Sequence, residues 1–315
     1  MKKGYLTFII RIIFVVRGFA QDPQFTQFYA NPLYLNPALA GSEICPRVNI
    51  NYRNQWPGIS GTYVTTTASI DKYIYKIKGG LGLLASYDMA GQGTLNTASI
   101  SAMYSYQLRI KRNFAINFGL QGTYGQKSLN LNKLNFGDMI DEKYGFVNIT
   151  GENQIRSQKT YTDFSAGMVA FTKRLFAGIA VNHLTQPDEG LIYVSRLPMR
   201  YTFHAGGIFH LNGEKNDVTI SPNVLYQHQK DFSQLNFGLY FTKGAIVGGI
   251  WYRNNDAFIF LLGFQRQKIK IGYTYDITIS KLTNTTAGAH ELSLGFMFRC
   301  IKPKPKYRPG ICPVF

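Results

Sequence analysis

Apolar and polar residues alternate along most of this 315-residue chain, and the alternation has a period of two. In Ala98-Ser99-Ile100-Ser101-Ala102-Met103-Tyr104-Ser105-Tyr106-Gln107-Leu108-Arg109-Ile110 every second residue is apolar or aromatic, and the residues between are nearly all polar. A strand of that pattern places one face in hydrocarbon and the other in water, and it is longer than an ordinary strand. Residues 113–127 repeat it after a turn of only Lys111-Arg112, with Phe114, Ile116, Phe118, Leu120 and Tyr124 on one face and Asn117, Gln121 and Thr123 on the other. The same period predicts strands at 47–56, 62–75, 79–89, 95–110, 113–127, 161–172, 174–184, 199–211, 217–228, 232–243, 245–254, 257–267, 268–277 and 289–299. That is about 14 strands, an even number, as a single-chain bacterial barrel with both ends on one side requires.

The connections supply a direction. Outer-membrane barrels have short periplasmic turns and longer external loops. If the first strand runs outward, the long segments 128–160, 185–198 and 278–288 fall outside, while the tight links at 111–112, 173–174, 243–244 and 266–268 fall inside. A soluble β-sandwich has no reason to sort its loops by length in this way. The expected fold is therefore all-β: a closed antiparallel transmembrane β-barrel spanning 47–299.

Composition agrees with this class. Phe 23, Tyr 21 and Gly 31 stand against 16% charged residues, and after the leader no stretch approaches the roughly 20 apolar residues of a spanning helix. Lys2 and Lys3, an apolar run over 5–16 interrupted by Arg11, and Gly18-Phe19-Ala20 describe a signal peptide over 1–20, with Gln21 as the mature start. The expected location is the outer membrane, with both termini in the periplasm.

The formal charge of +17 also sorts by side. Lys76, Lys78, Arg109, Lys111, Arg112, Lys173 and Arg174, with Lys215, Lys243, Arg266 and Lys268, fall at inner turns. Asp88, Asp138, Asp141, Glu142, Glu152, Asp188, Glu189, Asp231 and Asp256 fall outside. A basic inner rim suits anionic headgroups of outer-membrane lipid or an acidic protein partner. Nucleic acid is excluded as a partner by the compartment.

Candidate chemistry is sparse. His204 and His210 share the water-facing parity of one strand, and His183, His228 and His290 sit near outer strand ends with lipid-facing parity. At about 3.3 Å per residue His204 and His210 are too far apart to hold one metal without other ligands. No Ser/His grouping of a barrel hydrolase is recognisable, so no catalytic residue, metal or cofactor is expected and the chain reads as a non-enzyme. Asp138, Asp141 and Glu142 lack the spacing of a calcium loop and read as a solvated loop face. Beyond the barrel, 300–315 reads as a basic, Pro-rich periplasmic tail. Cys300 and Cys312 bracket most of it and form a possible disulfide, or either pairs with Cys45.

One stretch does not look like wall. Residues 21–46 carry two Asn-Pro steps and a Gly that break both periodicities, and their aromatics need cover, so they read as a plug or collar in the lumen or at its periplasmic mouth. Asp22-Pro23-Gln24-Phe25-Thr26-Gln27-Phe28-Tyr29, Asn31-Pro32, Asn36-Pro37-Ala38-Leu39-Ala40-Gly41 and Tyr52-Arg53-Asn54-Gln55-Trp56-Pro57 resemble the opening of the PorP/SprF family of Bacteroidetes type IX secretion proteins. Ser86-Tyr87-Asp88 with Gly91 and Gly93, Phe176-Ala177-Gly178 with Asn182-His183-Leu184, and Tyr275-Asp276 followed by 288–298 resemble it further on. The resemblance implies a component that supports export or surface anchoring of adhesin-type cargo, in some members for gliding motility. Its implied partners are periplasmic type IX components and the C-terminal domain of a secreted surface protein. The implied partner-binding residues are Gln24, Phe25, Phe28, Tyr29, Asn31, Pro32, Asn36, Pro37, Gly41 and Trp56. A lumen lined by Ser, Thr, Asn and Gln leaves a second reading open, a passive channel or fatty-acid transporter.

Overall fold

The computed structural model describes residues 22–111, 113–141, 143–147, 157–211, 218–279 and 286–299. The expected signal peptide, Arg112, Glu142, Glu152, Lys215 and the tail from Cys300 lie outside the described residues.

Fourteen antiparallel strands close into one barrel. They are β1 (Arg47–Gln55), β2 (Tyr63–Ile74), β3 (Gly79–Ala90), β4 (Leu95–Lys111), β5 (Phe114–Leu129), β6 (Gln158–Phe171), β7 (Leu175–Asn182), β8 (Arg200–Gly207, continued by Phe209–His210), β9 (Val218–Gln229), β10 (Phe232–Lys243), β11 (Ile246–Arg253), β12 (Ala257–Arg266), β13 (Ile269–Thr278) and β14 (Ala289–Met297). Neighbours in sequence pair in order, and β1 closes on β14 from Arg47↔Met297 to Gln55↔Ala289. Closure satisfies the backbone of every strand within the hydrocarbon, which lipid cannot do. The periodicity placed all fourteen strands to within a few residues.

The alternation is realised as an apolar outside and a polar inside. Leu83, Ile100, Phe118, Leu120, Leu239, Phe260 and Leu262 point outward and are exposed to the bilayer. Asn49, Asn51, Thr67, Ser101, Asn117, Ser165, Thr202, Asn236 and Thr274 are buried in the lumen. The described residues of the three longest connections, 130–141, 143–147 and 157, 183–199, and 279 with 286–288, lie at one end, here called the long-loop end. The opposite end carries mostly tight turns, such as the one at Lys243-Gly244, where a left-handed Gly244 (φ 59°) gives the reversal a two-residue hairpin needs.

The N-terminal segment lies against the inward faces of the strands. It folds as three short turns, Phe28–Ala30, Pro32–Leu35 and Pro37–Leu39. The two Asn-Pro steps that looked like breaks start the second and third of these, with Pro at the first position, where its missing N–H costs nothing. Asn36 caps the last turn by accepting from the Ala38 N–H at 2.9 Å. Apolar residues of the segment meet the few apolar residues of the lumen wall: Phe28, Tyr29, Leu35, Ala38 and Leu39 pack with Val169, Phe176, Leu225, Tyr240, Trp251 and Ile259. Leu33 and Ala40 pack with Leu84 and Met103. Each fully buried Leu or Phe of this set contributes about 1.5–3 kcal/mol relative to exposure in water.

The wall comes close enough to touch backbone. A Cβ placed on Gly119 of β5 would lie 2.2 Å from the Ala38 nitrogen and 2.4 Å from the Pro37 carbonyl carbon. Backbone cannot swing aside as a flexible side chain would, so Gly119→Ala is expected to destabilise the seated segment by about 1–3 kcal/mol. The check is the temperature at which the folded barrel loses its fast gel mobility. An unchanged transition would show that the contact is not made.

Candidate functional site

The segment runs the length of the lumen and is held at four levels. At the long-loop end, Asp22 Oδ2 lies 2.7 Å from His183 Nε2 and 3.0 Å from Arg200 Nη1. His183 Nδ1 reaches Asp163 Oδ2 at 2.8 Å, and the Asp22 N–H donates to Gln229 Oε1 at 3.2 Å. Tyr34 is drawn into the same corner: its hydroxyl donates to the Pro23 carbonyl and accepts from Arg200 Nη1. One level down, Glu291 accepts the Thr26 N–H at 2.6 Å and the Gln27 N–H at 3.0 Å, and it pairs with Arg53 at 3.2 Å. Asp276 accepts the Thr26 hydroxyl at 2.8 Å and pairs with both Arg53 and Arg253. At mid-lumen, Asn31 donates to Thr67 Oγ1 at 2.8 Å, and Asn36 Nδ2 donates to the Ile179 carbonyl at 3.0 Å and lies 3.2 Å from His204 Nε2. At the other end, left-handed Gly41 (φ 64°) donates its N–H to Asp71 Oδ2 at 2.8 Å, and Arg47 holds the same carboxylate through Nε and Nη2.

One expectation is refined here and another changes. Residues 21–46 were expected in the lumen or at its periplasmic mouth, and the described segment lies in the lumen, with residue 22 at the long-loop end, and descends from there to Arg47. The physical reason is the charge pairing: the acceptors and cations that fit Asp22 are on β8, β9 and the loop after β7, all at that end. His183 was expected to face lipid by strand parity. It follows the last residue of β7 in a left-handed conformation (φ 61°), which breaks the parity and turns the imidazole into the lumen. His228 and His290 keep outward, exposed hydrogen bonds to Ser233 and Tyr273.

The ten motif residues divide accordingly. Phe25, Phe28, Tyr29, Asn31, Pro32, Asn36, Pro37 and Gly41 are buried, so their nearest partner is this chain's own wall. Phe25 sits edge-on to Tyr34, Phe28 to Trp251, and Tyr29 to Phe176. Only Gln24 and Trp56 reach an accessible surface, the floor and rim of a cavity of about 740 Å³ at the long-loop end. That cavity is lined by hydroxyls and amides such as Ser86, Thr97, Ser99, Gln121 and Thr123, with Asp88, Lys127 and Glu189 among them. A separate void of about 70 Å³ lies toward the other end, beside Gln27, Tyr29 and Lys270.

The basic residues Lys76, Lys78, Arg109, Lys111, Lys173 and Arg174 are exposed together at the short-turn end. Asp141 accepts the N–H groups of Lys143 and Tyr144 in a loop turn. Cys45 is disulfide-bonded. The expected pairing of Cys300 with Cys312, or of either with Cys45, falls on residues outside those described.

Sequence reasoning named Arg53 and Asp276 only as parts of family-like stretches, with no role, and missed Asp71, Arg253 and Glu291. The signal was present: each sits at inward parity in a strand, where a charge inside a barrel needs a partner.

The upper latch depends on pH. Burial opposes charge on His183, but the Asp22 carboxylate and the hydrogen bonds to Asp163 and Asp22 outweigh it and raise its pKa from 6.5 to about 9. Burial would also raise Asp22, yet His183 and Arg200 hold it well below the usual carboxylate range. Because the His183 value is raised on folding, its contribution, roughly 3 kcal/mol, is fully present below pH 6.5 and is lost as pH rises through about 9. Because Asp22 is lowered, its contribution is present above the ordinary value of 3.8 and fails only in stronger acid. Amide exchange over residues 22–25 is expected to accelerate between pH 8 and 10. In His183→Ala it is expected to be fast throughout, and a wild-type profile with no step in that range would refute the latch.

A closed fourteen-strand wall, apolar outside and polar within, with no helix among the described residues long enough to cross a membrane, defines an outer-membrane β-barrel protein. The pattern of one family, described as "Type IX secretion system membrane protein PorP/SprF", matches residues 18–296. The chain belongs to that family. No curated protein matches it. Among solved structures it is similar to a Pseudomonas aeruginosa FadL homologue, at 13% identity and a TM-score of 0.47, covering 90% of this chain and 100% of that one. It is also similar to the P. putida toluene transporter TodX, at 8% and 0.48, covering 84% and 93%. A third likeness is to the Acinetobacter baumannii outer membrane protein Omp33, at 8% and 0.46, covering 82% and 100%.

Proposed function

We propose that this type IX secretion barrel is a sealed, non-enzymatic platform whose two rims do the work. The observation that carries the reading is the lumen segment: a barrel filled by its own chain at four bonded levels offers its ends, not its bore, to partners. The long-loop end, with its polar cavity and folded loops, faces outward and holds adhesin-type secreted cargo through that cargo's C-terminal domain. In organisms that glide, such cargo would be the motility adhesin. The basic short-turn rim faces the periplasm and meets type IX components or the lipid headgroups of the inner leaflet.

The test is mild crosslinking in intact cells followed by purification of the barrel. A periplasmic type IX component and a secreted C-terminal domain are the expected companions, and recovery of neither would sink the proposal. Reversing the rim with Lys173→Glu and Arg174→Glu is expected to weaken the periplasmic contact while leaving the cargo contact intact. The polar cavity favours a second reading, a passive channel or fatty-acid transporter, which conductance separates from the first.

A further inference from the structure

The wall is closed, but it is not of even height. β6 pairs with β5 along its full length, from Ser128↔Gln158 to Ala115↔Phe171. On its other side it pairs with β7 only from Ala166↔Val181 to Phe171↔Phe176. Beyond that ladder, past left-handed His183, one backbone bond follows, from the Leu184 N–H to the Phe164 carbonyl, and among the described residues no later backbone bond reaches 158–163 from that side. Residues 158–163 therefore rise above β7 with one edge free.

The register says which groups face that edge. Leu129 donates to the Ser157 carbonyl, so Ser157, Lys159, Tyr161 and Asp163 turn their backbone groups to β5, and Thr160 and Thr162 turn theirs the other way. Among the described residues, neither Thr160 nor Thr162 has a backbone hydrogen-bond partner on that side. Outward side chains along the edge are Gln158, Thr160 and Thr162, all polar and exposed, with Phe164 below them. The edge thus stands in water above the apolar belt, where an open row of donors and acceptors is permitted.

Natural proteins usually blunt such an edge with an outward Lys, a Pro or a covering loop. Here the only Lys, Lys159, points inward and is paired with Asp188. The following loop folds back on itself through Asp188↔Arg196 rather than along the strand. Its base is tied to β6 by the Lys159–Asp188 ion pair, and its tip is apolar, with Ile192 60%, Tyr193 83% and Val194 76% exposed. The hairpin of Ile140–Asp141 and Gly145–Phe146, in the loop before β6, pairs with itself.

We infer that the free edge of β6 at 158–163, with the apolar tip at 191–194, is a strand-addition site for an extended segment of a secreted protein. The occupant follows from the chemistry. Unpaired backbone donors and acceptors at strand spacing are matched by another strand, and apolar side chains of that strand would lie against Phe164, Leu184 and the loop tip. This inference rests on the proposed outward orientation of the long-loop end and names the surface by which cargo is held.

The test places a photo-crosslinking residue at Gln158 in cells that secrete normally. The expected product joins this chain to a strand-forming segment in the C-terminal domain of a secreted protein. The double variant Thr160→Pro, Thr162→Pro removes two donors that face away from β5, so the barrel ladder survives and folded gel mobility is retained. The crosslink is expected to fall about tenfold or more in that variant, as loss of two backbone donors predicts. Thr160→Val, Thr162→Val keeps the donors and is expected to keep the crosslink. Equal crosslinking in the proline variant, a product with residues 148–156, with a second copy or with lipid, or no product at all, would each overturn the inference. If periplasmic type IX components still co-purify in any of those cases, the edge assignment falls and the platform reading stands.

Discussion

Replacing Glu291 with alanine is expected to free the N-terminal segment from the lumen while leaving the barrel closed. Glu291 is fully buried, and it is the acceptor for two consecutive backbone N–H groups, Thr26 and Gln27, as well as a partner of Arg53. Its removal orphans both donors and leaves two guanidinium groups, Arg53 and Arg253, sharing the one buried carboxylate of Asp276. Removing one partner of a buried ion pair costs about 3–5 kcal/mol because the remaining charge keeps its desolvation cost. That loss falls on the segment, since β14 retains its backbone ladders to β1 and β13. Glu291→Gln keeps the shape and an acceptor oxygen, so its effect is expected to be smaller. Chymotrypsin reads the difference: Phe25, Phe28 and Tyr29 are buried and should resist cleavage in the wild type, and should be cut in Glu291→Ala while the strands stay intact. Equal resistance in both proteins would show that the Thr26–Gln27 level does not hold the segment.

How far the chain can be read without its structure follows from what repeats in it. The wall was legible because each strand is long and the lipid–water alternation imposes period two on every residue, so β10 was placed at 232–243 with both ends correct. Where a strand leaves the hydrocarbon the pattern fades: β6 begins at Gln158 and not at 161, because Thr160 and Gln158 face water and carry no apolar signal. The interior was less legible. Turns of three or four residues such as Pro32–Leu35 are too short to show a helical period, so only the Asn-Pro steps marked them. The bonded levels join positions far apart in the chain, up to more than 200 residues for Thr26 with Asp276 and Glu291, and a single sequence does not pair distant positions. His183 shows the limit of parity: one left-handed residue at a strand end sends the side chain to the opposite face.

Deleting residues 22–42 is expected to turn a silent barrel into a steady channel. With the segment in place, the cavity of about 740 Å³ at one end and the void of about 70 Å³ toward the other are separate spaces divided by buried Leu33, Leu39, Tyr29 and Asn36. Without it, the lumen wall presents Asn51, Thr67, Ser101, Asn117, Thr202 and Asn236, small polar groups that water wets readily. The charges left on that wall nearly balance, with Arg47, Arg53, Arg200 and Arg253 against Asp71, Asp163, Asp276 and Glu291, so weak ion selectivity is expected. In planar bilayers the full chain should show no resolved openings and the deletion should show long-lived ones. The deletion also uncovers Val169, Leu225, Trp251 and Ile259, so the shortened barrel should lose folded gel mobility at a lower temperature. Glu291→Ala supplies the companion measurement in a chain of full length: brief openings, as the segment leaves and returns, are expected where the wild type is silent. Steady conductance in the intact protein would reverse the argument, because the bore and not the rims would then be the working part and the passive-channel reading would take the place of the sealed platform.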